Sequence, residues 1–125
     1  MTSYKDLLVW QRAMDLAVEC YQATASFPRS ELYGLTSEIR RAAVSIPSNV
    51  AEGRCRRTTK AYLNHVSIGL GSSGELATCI TLSERLNFLT HASALKLAVA
   101  SDEVGRMLSG LYTALDLKVR AGEDR

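Results

Sequence analysis

Residues that break regular structure are scarce: 125 residues contain two prolines and eight glycines. Val and Ile together are few, 12 against 32 for Leu plus Ala. This composition argues against a strand-rich domain and favours helices. Cysteine occurs three times, at Cys20, Cys55 and Cys79, with no C-x-x-C spacing. Neither a zinc ribbon nor a dithiol redox motif is readable, and a reducing compartment is expected. No run of 18 apolar residues exists, so no membrane span is expected. Asp6 near the start and the lack of a small-residue cleavage site argue against a signal peptide. A cytoplasmic protein is the expectation. What remains is ordinary globular composition, 46% apolar and 22% charged, which excludes disorder and collagen-like repeats. The length suits one domain that buries roughly two thirds of its unfolded surface.

Apolar spacing predicts four helices, at about 4–26, 30–53, 58–87 and 92–120, with a frayed tail at 121–125. The first carries Leu7, Trp10, Met14, Ala17, Tyr21 and Ala25 at helical intervals. Phe27-Pro28 ends it, and Ser30 is placed to cap the second. That helix carries Leu32, Leu35, Ile39, Ala42, Ile46 and Val50. Pro47 lies inside this pattern, where it removes a donor and presses on the Ala43 carbonyl. A kink after Ser45 is expected, with Ser45 or Asn49 compensating and Gly53 stopping the helix. Thr58 or Thr59 caps the third helix, whose stripe is Tyr62, Val66, Gly69, Ser73, Leu76 and Ile80. Ser93 is a candidate cap for the fourth, unless His91 starts it. That helix carries Leu97, Val104, Leu108, Leu111, Leu115 and Val119, with a second row at Ala100, Met107, Ala114 and Leu117. Short connections make neighbours antiparallel, so the expected fold is all-α, an up-down-up-down four-helix bundle. Extra apolar residues on the first and last helices imply a further buried contact and hence a homo-oligomer.

Gly69-Leu70-Gly71-Ser72-Ser73-Gly74 matches the dinucleotide fingerprint G-x-G-x-x-G. That motif needs a preceding strand, and residues 61–68 have helical periodicity. The glycines are therefore read as a surface for close helix packing, with Gly69, Gly71 and Gly74 all helical and facing another helix. His65 and His91 have no partner at i, i+4, and no Glu is followed by His at i+3. A di-metal bundle enzyme is thus disfavoured. No G-x-S-x-G and no P-loop occurs. No metal, cofactor or catalytic residue is assigned.

The informative feature is charge distribution. Residues 38–60 hold six basic and two acidic side chains, net +4, in a chain of net +2. The basic ones are Arg40, Arg41, Arg54, Arg56, Arg57 and Lys60. Arginine's planar fork suits phosphate, and clustering at one bundle end would attract a polyanion. The competing reading is a solvated helix end neutralised by Glu38 and Glu52. No recognition helix, zinc finger or aromatic stacking platform is visible, so backbone binding is expected rather than sequence readout.

Several segments form a recognisable set: Tyr4-Lys5-Asp6-Leu7-Leu8-Val9-Trp10-Gln11-Arg12-Ala13, Phe27-Pro28, Glu31-Leu32-Tyr33-Gly34-Leu35, Ile39-Arg40-Arg41-Ala42-Ala43, Gly71-Ser72 and Glu75-Leu76. The most specific is Ser45-Ile46-Pro47-Ser48-Asn49-Val50-Ala51-Glu52-Gly53. Together they resemble the four-helix-bundle family of 23S rRNA intervening-sequence proteins over about residues 4–90. The resemblance implies a small bacterial cytosolic bundle, a ring-like homopentamer and no catalytic activity. Related accessory proteins of diversity-generating retroelements bind nucleic acid and a reverse transcriptase. The family's basic positions match here at Arg40 and Arg41. The functional expectation is a non-enzymatic accessory or scaffold protein that binds RNA or DNA backbone. The alternative is a protein-interaction module without a nucleic-acid role.

Overall fold

The computed structural model describes residues 3–123. Their regular structure is helical throughout: α1 (Leu8–Thr24), α2 (Leu35–Arg54), α3 (Thr59–Arg85) and α4 (His91–Arg120), with 3-10 turns at Tyr4–Asp6 and Arg29–Glu31. Each helix packs on its chain neighbours, α4 closes against α1, and the diagonal pairs do not meet. Short connections reverse the chain each time, which gives an antiparallel four-helix bundle. No helix among the described residues is long and apolar enough to cross a membrane.

The core follows the expected stripes of α2, α3 and α4. Ile39, Ile46, Val50, Val66, Leu76, Val104 and Leu108 are almost fully enclosed. On α1 the buried row differs from the expected one. Val9, Ala13, Leu16 and Cys20 face inward, whereas Met14 and Tyr21 are 40% and 45% exposed. Two adjacent rows of α1 are apolar, and periodicity cannot choose between rows that both fit it. Leu32 also lies outside the core, in the turn before α2. Burial, reinforced by Glu19, pushes the Cys20 thiol up to about 12, which keeps it protonated and unreactive at neutral pH.

The helix ends explain the boundaries. Ser30 does not cap α2, because the 3-10 turn occupies that stretch. Glu31 reaches forward instead, and its Oε1 accepts the Leu35 N–H at 3.1 Å. Thr58 caps α3 by accepting from Ala61 N, and Thr90, not Ser93, caps α4 by accepting from Ser93 N. After α3, Asn87 takes the left-handed conformation (φ 63°), with Asn87 N–H to Glu84 O and Phe88 N–H to Ser83 O. After α4, Gly122 (φ 77°) does the same, with Gly122 N–H to Val119 O and Glu123 N–H to Lys118 O. Both are Schellman closures, which satisfy carbonyls that a helix end leaves open. Residues 121–123 of the expected tail thus form a cap; residues 124–125 lie outside the described residues.

Pro47 does not divide α2. The helix continues from Leu35 to Arg54 with Pro47 buried inside it, and Gly53 lies within the helix instead of ending it. Proline removes one bond of the ladder, while Ala43, Ile46 and Val50 on both sides are fully packed and hold the helix together. Asn49 does act locally, but its amide donates to the Ser45 carbonyl at 2.9 Å.

The three α3 glycines are helical, and residues 61–68 form no strand, so the dinucleotide reading fails. Only Gly69 faces other helices, with Asn49 and Leu108 atoms 3.9 Å from where its Cβ would stand. Gly71 and Gly74 meet nothing within 4 Å and are exposed, so no helix among the described residues packs on them as expected. Mid-helix glycine costs roughly 0.5–1 kcal/mol relative to alanine. The double variant Gly71→Ala, Gly74→Ala is therefore expected to gain about 1–2 kcal/mol in urea unfolding. A loss of stability would contradict the open space seen around both positions.

Candidate nucleic-acid interface

The six basic residues fall into two sets. Arg40 and Arg41 lie on the first half of α2. Arg54 ends α2, Arg56 and Arg57 form the turn, and Lys60 opens α3. At 1.5 Å per residue, Arg41 and Arg54 stand about 20 Å apart along α2. The expected single cluster is thus a divided one.

Arg40 is tied down. Its Nε donates to Thr24 Oγ1 at 2.9 Å, and its guanidinium carbon lies 4.6 Å from the Tyr21 ring centroid. Arg41 is exposed. Arg54 is half-buried and engaged. Arg57 and Lys60 are exposed and make no hydrogen bond or ion pair among the described residues. Among the described residues neither Glu38 nor Glu52 forms an ion pair with Arg40, Arg41, Arg56 or Arg57: Glu38 accepts from the Cys79 thiol (3.8 Å), and Glu52 lies 3.6 Å from His65 Nδ1.

Arg56 is positioned by a chain of polar groups along the α2–α3 seam. Ser45 and Ser72 hydroxyls meet at 2.8 Å across the two helices. Asn49 Nδ2 donates to Ser45 Oγ at 3.1 Å, and Asn49 Oδ1 lies 3.0 Å from His65 Nδ1. Arg56 Nε donates to His65 Nε2 at 3.2 Å. An arginine can only donate, so Nε2 is the unprotonated nitrogen and Nδ1–H donates to Asn49. The family-like segment at 45–53 therefore supplies one side of a bonded seam that ends on an arginine.

The sequence reading missed His65. The signal was present as two flanking polar rows, Ser45, Asn49 and Glu52 on α2, with Arg56 in the turn after it, against His65 and Ser72 on α3. It also missed Lys118. Antiparallel packing brings the end of α4 to the α2–α3 turn: Tyr112 lines a cleft with Thr58, Lys60 and Asn64. Lys118 follows about 9 Å further along α4. Arg120 at the same end is held by Asp116 at 3.0 Å. The C-termini of α2 and α4 both point to this end, which favours cations there.

A protein-family model described as 23S rRNA-intervening sequence protein matches residues 5–110. No curated protein gives a significant match. Three solved chains do match. One is a protein of unknown function from the S23 ribosomal protein family of Bacteroides thetaiotaomicron, with TM-score 0.76 and 18% identity over 84% of this chain and 98% of that one. At that identity the likeness speaks for the fold alone.

Proposed function

The chain belongs to the family of 23S rRNA-intervening sequence proteins, and on that footing we propose that it is a non-enzymatic accessory or scaffold protein that holds RNA or DNA backbone through arginines. The observation that carries this reading is the α2–α3 end of the bundle. Arg56, Arg57 and Lys60 stand exposed there, with no carboxylate paired to them among the described residues, and Lys118 lies at the same end. Such an arrangement attracts phosphate without selecting a base sequence. A reverse transcriptase, or another protein acting on nucleic acid, would be a partner in the same assembly.

Self-association belongs to the proposal, and a different observation supports it. Leu8, Val18, Val99 and Leu117 are each more than half exposed, on α1 and α4. Apolar rows left open on two helices suit contact between copies, in the ring-like homopentamer that the resemblance implies. The same rows support the alternative, a protein-interaction module.

Binding of generic RNA and DNA to the intact protein over a salt series tests the proposal. Affinity is expected to fall steeply with salt. Because Arg54 is engaged within the bundle, the cleaner variant is Arg56→Ala, Arg57→Ala, Lys60→Ala. It is expected to weaken binding of every sequence and to flatten the log–log salt slope by roughly one unit per lost phosphate contact. Absence of binding at about 50 mM salt, with self-association intact, would favour the protein-interaction module.

A further inference from the structure

The Arg40–Arg41 set has something that the turn set lacks: exposed aromatic rings. Between the end of α1 and the start of α2 lies an open cleft of about 650 Å³, lined by Tyr21, Leu32, Tyr33, Arg40, Arg41 and Val44 among others. Tyr33 is 92% exposed and Leu32 50%. Tyr33 sits in the turn before α2, so the sequence shows it as an isolated residue, 12 positions from Tyr21. Folding brings both to one cleft. Arg40, stacked on Tyr21 and bonded to Thr24, forms a fixed cationic wall. Arg41 beside it has no ion-pair partner among the described residues, and no carboxylate lines the cleft.

We propose that this cleft binds an unpaired nucleotide of a single-stranded nucleic acid, its base stacked on Tyr33 and its phosphate held by Arg41. The inference deepens the nucleic-acid reading and rests on it. Arginines alone would accept any phosphate, duplex included. An open aromatic face within the same cleft rewards a base whose own face is free, and a duplex hides its base faces by stacking. Charge decides against a second copy of this chain as occupant. The cleft offers two cations and no anion, and the chain is itself net positive, so a polyanion complements it better.

The test is fluorescence anisotropy with labelled single-stranded RNA and DNA of about ten nucleotides and the matching duplexes. The proteins are the wild type, Tyr33→Ala, Tyr33→Phe and the Arg56, Arg57, Lys60 alanine variant, with mass followed by light scattering. Tyr33→Ala is expected to lower single-strand affinity roughly 5- to 150-fold, the range of one base–aromatic stack. It should leave duplex affinity and assembly mass unchanged, and Tyr33→Phe should behave as wild type. Should Tyr33→Ala leave single strands unaffected while the turn variant still weakens all binding, the cleft proposal fails and the general reading stands. If no nucleic acid binds the wild type, both fail. A drop in assembly mass in Tyr33→Ala would assign the cleft to a second copy and overturn the proposal.

Discussion

Replacing Gly53 with leucine is expected to destabilise the bundle by about 3 kcal/mol, and to free Arg56 from its seat. A Cβ at this position would stand 2.7 Å from Tyr62 Cδ1, 2.9 Å from His65 Cβ and 3.2 Å from the Tyr62 carbonyl oxygen. Two of these atoms lie on or next to the α3 backbone and cannot swing aside. The whole of α3 would have to retreat, and with it the His65 ring that holds Arg56. Gly53→Ala should show a smaller loss, because alanine's better helix propensity returns up to about 1 kcal/mol. Urea unfolding of the two variants gives the stability change. Wild-type stability in Gly53→Leu would contradict the close α2–α3 approach. Gly71 and Gly74, on α3 itself, are expected to respond with the opposite sign, so the pair of experiments separates a glycine needed for approach from glycines that are not.

Leu108→Ala is expected to cost about 2–5 kcal/mol and to lower the melting temperature by roughly 10–20 °C. Leu108 is fully enclosed in α4, so truncation leaves a cavity that the surrounding side chains can fill only partly. Leu117 lies on the same helix and is 63% exposed. Its change to alanine should stay within about 0.5 kcal/mol in the isolated chain. Thermal unfolding at two protein concentrations checks both expectations. A large, concentration-dependent loss in Leu117→Ala would locate Leu117 in a contact between copies.

Four helices, their order and the buried rows of α2, α3 and α4 were legible in the sequence, because one apolar stripe on a polar helix leaves a single orientation that removes it from water. Tyr62, Val66, Gly69 and Ile80 are buried as their spacing requires. The same logic excluded a nucleotide fingerprint at Gly69–Gly74, since helical periodicity before it left no place for a strand. The candidate site was legible only as composition. Six basic residues close together in sequence read as one patch, but a helix separates them at 1.5 Å per residue, and Arg41 ends up far from the turn.

The rest depended on tertiary structure. On α1 two apolar rows fit the same period, and only the position of α2 and α4 decides which of them is covered. Pro47 was expected to interrupt α2; the helix runs through it, because the packing of Ala43, Ile46 and Val50 outweighs one missing hydrogen bond and Asn49 bonds the Ser45 carbonyl. His65 has no partner within its own helix; Asn49 and Glu52 arrive from α2 and Arg56 from the turn between α2 and α3. Lys118 joins the α2–α3 end because the fourth helix returns antiparallel. Local propensity and periodicity set which segments are helical, since both act within a few residues. Which faces meet, and which charges gather, is decided by contacts between residues far apart in the chain, and no single helix carries that information.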